Sequence, residues 1–237
     1  MALPRLNETP EYEMTIPSMG RKVPFRPFLV KEQKVLLMAF ESKDRNQILK
    51  AMLKTIDACT ETDVVIEKLP TFDIDYMFTQ IRCKSVGEST DVVVKCKNDS
   101  CKHDNRVKID LNDVQPPSGI NNDVVVDLTK DISVELKYPD YTTIFENMDD
   151  TNETQTMMNF IVNCVSSVHV GEERISMKDE PLTERMAFLE SLNASQFQLL
   201  TEFINNIPQL NMTVSFTCEK CGESNNNELK GLEDFFL

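Results

Sequence analysis

Val92-Val93-Val94-Lys95-Cys96-Lys97-Asn98-Asp99-Ser100-Cys101 and Met212-Thr213-Val214-Ser215-Phe216-Thr217-Cys218-Glu219-Lys220-Cys221-Gly222 decide how the chain is read. Each is a strand-like run ending in two cysteines, with four residues between Cys96 and Cys101 and two between Cys218 and Cys221. Val107, Ile109 and Leu111 alternate with polar residues after the first pair, so a return strand follows it. This is the pattern of two zinc knuckles at hairpin tips. A tight turn aims two thiolates at a point about 2.3 Å away, and two facing knuckles complete a tetrahedron. Gly222 supplies the left-handed backbone such a turn often needs. Two other readings stay open: a redox or disulfide pair, or unrelated cysteines. A redox Cys-x2-Cys normally begins a helix, whereas Cys218 ends a strand. His103 could also replace one sulfur ligand.

Four thiolates leave a metal no open position, so a zinc ion held by Cys96, Cys101, Cys218 and Cys221 is structural. Closing a loop of more than a hundred residues costs roughly 4 kcal/mol. A structural zinc site contributes about 10–16 kcal/mol, which outweighs that entropy. The expected fold is α+β. It comprises an N-terminal hairpin and helical region (1–88), a split four-cysteine zinc ribbon (89–114 plus 210–231) and an inserted strand–helix segment (115–209), together in one compact unit.

The rest of the chain supplies the other elements. Tyr12, Met14 and Ile16 alternate up to the turn Pro17-Ser18-Met19-Gly20, and Val23, Phe25 and Phe28 continue on a return strand. Pro24 and Pro27 confine that strand to an edge or end it early. Arg21, Lys22, Arg26, Lys31 and Lys34 make this the most basic stretch. Leu36, Leu37 and Phe40 start one helix, and Ile48, Leu49, Met52, Leu53 and Ile56 share a face of a second. Thr71 caps a third, carrying Ile74, Met77, Phe78 and Ile81 and stopping at Gly87. Val124–Val126 and Ile132–Leu136 read as strands. After the acidic stretch 146–153, Met157, Ile161, Cys164, Val165 and Val168 fall on one helix face, and a short hairpin turns at Gly171. Pro181 opens a further helix, and Asn193 with Gln196 forms a capping box before Phe197, Leu200 and Ile204. No internal repeat is visible.

The chain has 237 residues and a formal net charge of −14, with a pI near 4.6. That balance weighs against coating nucleic acid by bulk charge, although Lys95, Lys97, Lys102, Arg106 and Lys108 gather near the first cysteine pair. No apolar run of about 18 residues is present to span a membrane, and no secretory signal is seen. Phosphate-binding, dinucleotide-binding, metalloprotease and nucleophile-elbow motifs are all absent, so no catalytic residue, organic cofactor or small-molecule substrate is assigned. His169, between Val168 and Val170, reads as structural. Asp73/Asp75 and Asp149/Asp150 read as chance pairs in an acidic chain. Cys59, Cys83 and Cys164 read as small buried hydrophobes.

Three stretches carry a family resemblance. They are Leu3-Pro4-Arg5-Leu6-Asn7, then Tyr12 to Lys22 with Phe25-Arg26-Pro27-Phe28-Leu29-Val30-Lys31-Glu32, then Leu69-Pro70-Thr71-Phe72-Asp73-Ile74-Asp75-Tyr76 with Arg82 to Glu88. Their wording and order resemble T4-like bacteriophage baseplate hub subunits and hub assembly proteins. The resemblance implies a structural or assembly component of the central hub of a contractile tail baseplate, working through contacts with other hub proteins. It implies a place in the host cytoplasm during assembly and in the virion tail. The alternatives are a transient tail assembly chaperone and a zinc-ribbon nucleic-acid binder. The hairpin 12–28 and the tail Leu232–Leu237 are the candidate partner-binding segments, and docking onto their own domain is the other reading of each.

Overall fold

The computed structural model describes residues 9–143 and 153–236. Internal contacts divide the chain into two compact units where the sequence suggests one. Unit 1 comprises residues 1–66, 72–118 and 209–237, and unit 2 comprises 67–71 and 119–208.

Unit 1 opens with the antiparallel hairpin β1 (Tyr12–Ile16) and β2 (Arg21–Phe25), closed by Gly20 at φ 62°. Its inner face places Met14, Ile16, Val23 and Phe25 in the core. Pro24 sits inside β2 opposite Glu13, and among the described residues the far side of the strand meets only an isolated bridge from Phe25 to Thr60. That is where a residue without an N–H can be tolerated. Helices α1 (Val30–Ser42), α2 (Arg45–Cys59) and α3 (Thr71–Val86) follow. Asp44 caps α2 by accepting from the N–H groups of Asn46 and Gln47, which satisfies two otherwise orphaned donors. The α3 stripe Phe72, Ile74, Met77, Phe78 and Ile81 is fully buried. Two cysteine-tipped hairpins complete the unit. They are β3 (Ser89–Lys95) with β4 (Asp104–Asp110), and β9 (Asn211–Thr217) with β10 (Ser224–Lys230). The last turn is helix α7 (Gly231–Phe236). Phe235 is buried beside Val92 and Leu229, so both segments expected to bind partners spend apolar side chains on their own unit.

Unit 2 is an antiparallel sheet in the order β5 (Val124–Asp127), β6 (Ile132–Leu136), β7 (Val165–Val170), β8 (Glu173–Ser176). Helix α4 (Glu153–Cys164) joins β6 to β7, and α5 (Leu182–Glu190) and α6 (Ala194–Asn205) follow β8. Val134, Leu136, Ile161, Val162, Val168, Leu189 and Leu200 form its core. The expected helix face running from Met157 to Val168 is corrected here. The helix stops at Cys164, and Val165 to Val170 is strand. Lys137 N–H bonds the Cys164 carbonyl and Val165 pairs with Leu136. The β-branched run thus finds sheet partners that local helical periodicity does not reveal. The capping box at Asn193 and Gln196 forms as read, and Pro181 is the cap rather than the first helical residue of α5. Asp149 and Asp150 lie outside the described residues.

Asp73 is fully buried in the first turn of α3 and accepts from Ser18 N–H at 2.9 Å and from the Ser18 hydroxyl. It ties the β1–β2 turn to the helix. Burial pushes its carboxyl up to about 6, against the two Ser18 donors. A raised carboxyl pKa makes the protonated form the one that favours folding. The contribution is full below pH 3.8 and is lost as pH rises through about 6. Between pH 4 and 8, urea unfolding should show wild type losing on the order of 2–3 kcal/mol relative to Asp73→Asn. A constant difference would mean that Asp73 is not shifted.

Candidate metal centre

The centre is built by two β-hairpins that share one core. Val92 and Val94 of β3, Ile109 of β4, Val214 of β9 and Leu229 of β10 lie in the same buried cluster as Cys83 of α3 and Phe235 of α7. Removing each such side chain from water is worth about 1.5–3 kcal/mol. The hairpins are held with their tips together before any ligand is considered.

At the tips, the Sγ atoms of Cys96, Cys101, Cys218 and Cys221 all lie within 4.8 Å of one another. Cys96 and Cys221 sulfurs are 3.7 Å apart, and those of Cys101 and Cys218 are 3.8 Å apart. A tetrahedron with metal–sulfur bonds of about 2.3 Å has edges of about 3.8 Å, so these separations fit a four-coordinate thiolate site. They are too long for S–S bonds of about 2.0 Å, and all seven cysteines are free. Cys96 and Cys218 are buried while Cys221 is exposed. His103 is not in the sulfur cluster. Its carbonyl instead accepts from Cys96 N–H at 2.9 Å.

Two buried asparagines hold the tips in matching ways. Asn225 accepts from Lys97 N–H at 2.7 Å, donates to the Glu223 carbonyl at 2.8 Å, and points its Nδ2 at Cys96 Sγ, 3.6 Å away. Asn105 accepts from Glu219 N–H at 2.9 Å and donates to the His103 carbonyl at 2.9 Å. Each asparagine therefore grips the residue just after the first cysteine of the other hairpin. The carbonyls of His103 and Glu223 in turn receive the N–H groups of Cys96 and Cys218. The residue after each second cysteine has positive φ, Lys102 at 45° and Gly222 at 74°. The two halves are thus built alike, a local repetition that is hard to see in the amino-acid sequence. Its one signal is an asparagine four residues after the second cysteine of each pair.

The thiols are unequal. Burial resists ionisation of Cys218, but the backbone N–H groups of Cys221 and Lys220 outweigh it and bring the thiol down to about 6. The Glu223 N–H favours the Cys221 thiolate, but desolvation together with the sulfurs of Cys218, Cys101 and Cys96 outweighs it and holds that thiol up at about 12. Four sulfurs this close cannot all carry charge unless a cation sits among them. The donor set fits a soft or borderline metal ion.

The model of the family described as T4 bacteriophage base plate protein matches residues 9–237. The chain belongs to that family. No curated protein and no solved structure matches it.

In this base plate family member the remaining candidate residues are engaged elsewhere. Lys97 Nζ bonds the Asn226 carbonyl and Lys102 pairs with Asp99 at 2.6 Å, so two of the cations near the first pair hold the tips. His169 lies 3.0 Å from Ser167 Oγ and 3.6 Å from Glu135, beside Arg174, in a cross-strand polar network of unit 2. Cys59, Cys83 and Cys164 are buried, and burial raises the thiol pKa of each, to about 11 in Cys59 and about 12 in Cys164. Asn105→Ala and Asn225→Ala should each weaken Co2+ uptake, followed by thiolate charge-transfer absorbance, by roughly 10–100-fold. Uptake equal to wild type would show the asparagines to be dispensable.

Proposed function

We propose that this base plate family member is a structural or assembly component of the central hub of a contractile tail baseplate, acting through contacts with other baseplate proteins. The match over residues 9–237 carries the placement in the baseplate, and the resemblance of the N-terminal stretches to hub subunits supports the hub in particular. Cross-linking mass spectrometry on purified baseplates should join this chain to hub proteins. Cross-links only to proteins outside the hub would overturn the hub assignment. Its presence in assembly intermediates but not in finished particles would make it a transient chaperone.

The reading includes one zinc ion bound by Cys96, Cys101, Cys218 and Cys221 in a split zinc ribbon. The convergence of the four sulfurs within 4.8 Å supports it. Four thiolates leave no position for substrate or water, so the ion's role is to hold the hairpins together and the protein works without catalysis. Elemental analysis should find one zinc per chain in wild type and none in Cys218→Ser, whose thermal midpoint should fall by well over about 10 °C. A fully stable wild-type protein without metal would refute the assignment.

A further inference from the structure

The negative charge of the chain is unevenly distributed. Unit 2 carries 17 acidic residues against 6 basic ones, net −11, while unit 1 carries 22 against 19, net −3. Part of the excess lies around one end of the unit 2 sheet, where Glu172, Glu173, Asp179, Glu180 and Glu184 are exposed. Among the described residues none of these five is held in an ion pair.

The same end of the sheet has an open strand and an apolar cavity. β8 pairs with β7 on one side, and among the described residues its other edge pairs with no strand. A cavity of about 270 Å³ lies under it, walled by Val168, Val170, Ile175 and Phe188, with Glu180 and Glu184 beside them. Arg185, the one cation of the lining, is turned to Asn163 Oδ1 at 3.1 Å. Val170 stays 42% exposed. The volume holds one or two large side chains and is too small for the stripe of a docked helix.

These features select the occupant. An unpaired edge offers backbone donors and acceptors to an added strand. A second copy of this chain would bring the same five acids to the same place and be repelled. A neutral apolar ligand would fill the cavity and leave the acids unmatched. We propose that the β8 edge and this cavity dock an extended segment of another protein, rich in Lys or Arg and carrying one apolar anchor residue. The anchor fills the cavity, the flanking cations meet Glu173, Glu180 and Glu184, and the field of unit 2 speeds encounter. The proposal rests on the baseplate reading only in expecting a protein partner, and names that partner's chemistry.

The test uses the full chain and a fluorescein-labelled peptide Lys-Val-Lys-Phe-Lys-Val-Lys, compared with its Phe-to-Ser and all-Glu counterparts. The Phe peptide should bind at least about tenfold tighter than the Ser peptide, and the all-Glu peptide should not bind. Raising NaCl from about 50 to about 300 mM should weaken binding roughly tenfold. Amide shifts should map to β8 and α5. The surface double variant Glu180→Lys with Glu184→Lys should lose about tenfold or more. Val170→Ser, which leaves the charge unchanged, should erase the preference for Phe. Equal binding of the Phe and Ser peptides, indifference to the double variant, or shifts confined to other elements would overturn the proposal. So would a dimer in sedimentation that Val170→Lys dissolves, since the edge would then serve a second copy. Failure of the peptide to bind would leave the baseplate reading standing, because cross-linking in purified baseplates tests that separately.

Discussion

Four sulfur atoms from two hairpins far apart in sequence meet at one point, and unit 1 depends on that meeting. Cys96 and Cys221 are 125 positions apart, Cys101 and Cys218 are 117 apart, and both pairs approach within 4 Å. Contacts of such long range carry a large loop-closure cost. Two terms offset it: the apolar cluster shared by β3, β4, β9 and β10, and the asparagine bonds that cross from tip to tip. In the zinc reading the metal adds the largest single contribution and also neutralises four thiolates that could not otherwise be charged side by side. Thiolate repulsion without metal and stability with it are two sides of one arrangement.

The likeness of the two tips shows what such a centre requires of sequence. Spacing between the cysteines is not conserved between the halves, since one pair encloses four residues and the other two. What is kept is the backbone bond to the first cysteine, the positive φ after the second, and the asparagine four residues later. Lys102 adopts positive φ without being glycine, at a cost of about 1 kcal/mol. Its partner Asp99 and the bond from its own N–H to the Asn98 carbonyl at 3.0 Å hold it there.

Features with a local physical cause could be read in the sequence. The hairpin 12–25, the cap of α6 and the strands flanking each cysteine pair rest on turn residues, periodicity and short side-chain-to-backbone bonds. The cysteine centre was also readable, because few chemistries place paired cysteines at two strand ends. The end of α4 was not readable. Val165 and Val168 satisfy a helical period, and only pairing with Leu136 and Val134 reveals them as strand. Asn105 and Asn225 were missed because a polar residue in a strand looks solvent-facing until the opposite hairpin is in place. For Phe235 the sequence leaves two readings, partner binding and docking on its own unit, and only the cluster with Val92 and Leu229 shows the second.

One bridge in unit 1 bears on how the chain came to have two units. Gln115 and Asn211 are paired, with Gln115 N–H on the Asn211 carbonyl at 3.0 Å. The backbone therefore departs from unit 1 and re-enters it at neighbouring points, with ninety-odd residues inserted between them, while residues 67–71 are a second, short excursion into unit 2. A graft of that kind leaves its host's pairing intact whatever its size. The strands of the host can therefore keep their pairing while the inserted stretch differs from it in shape and charge.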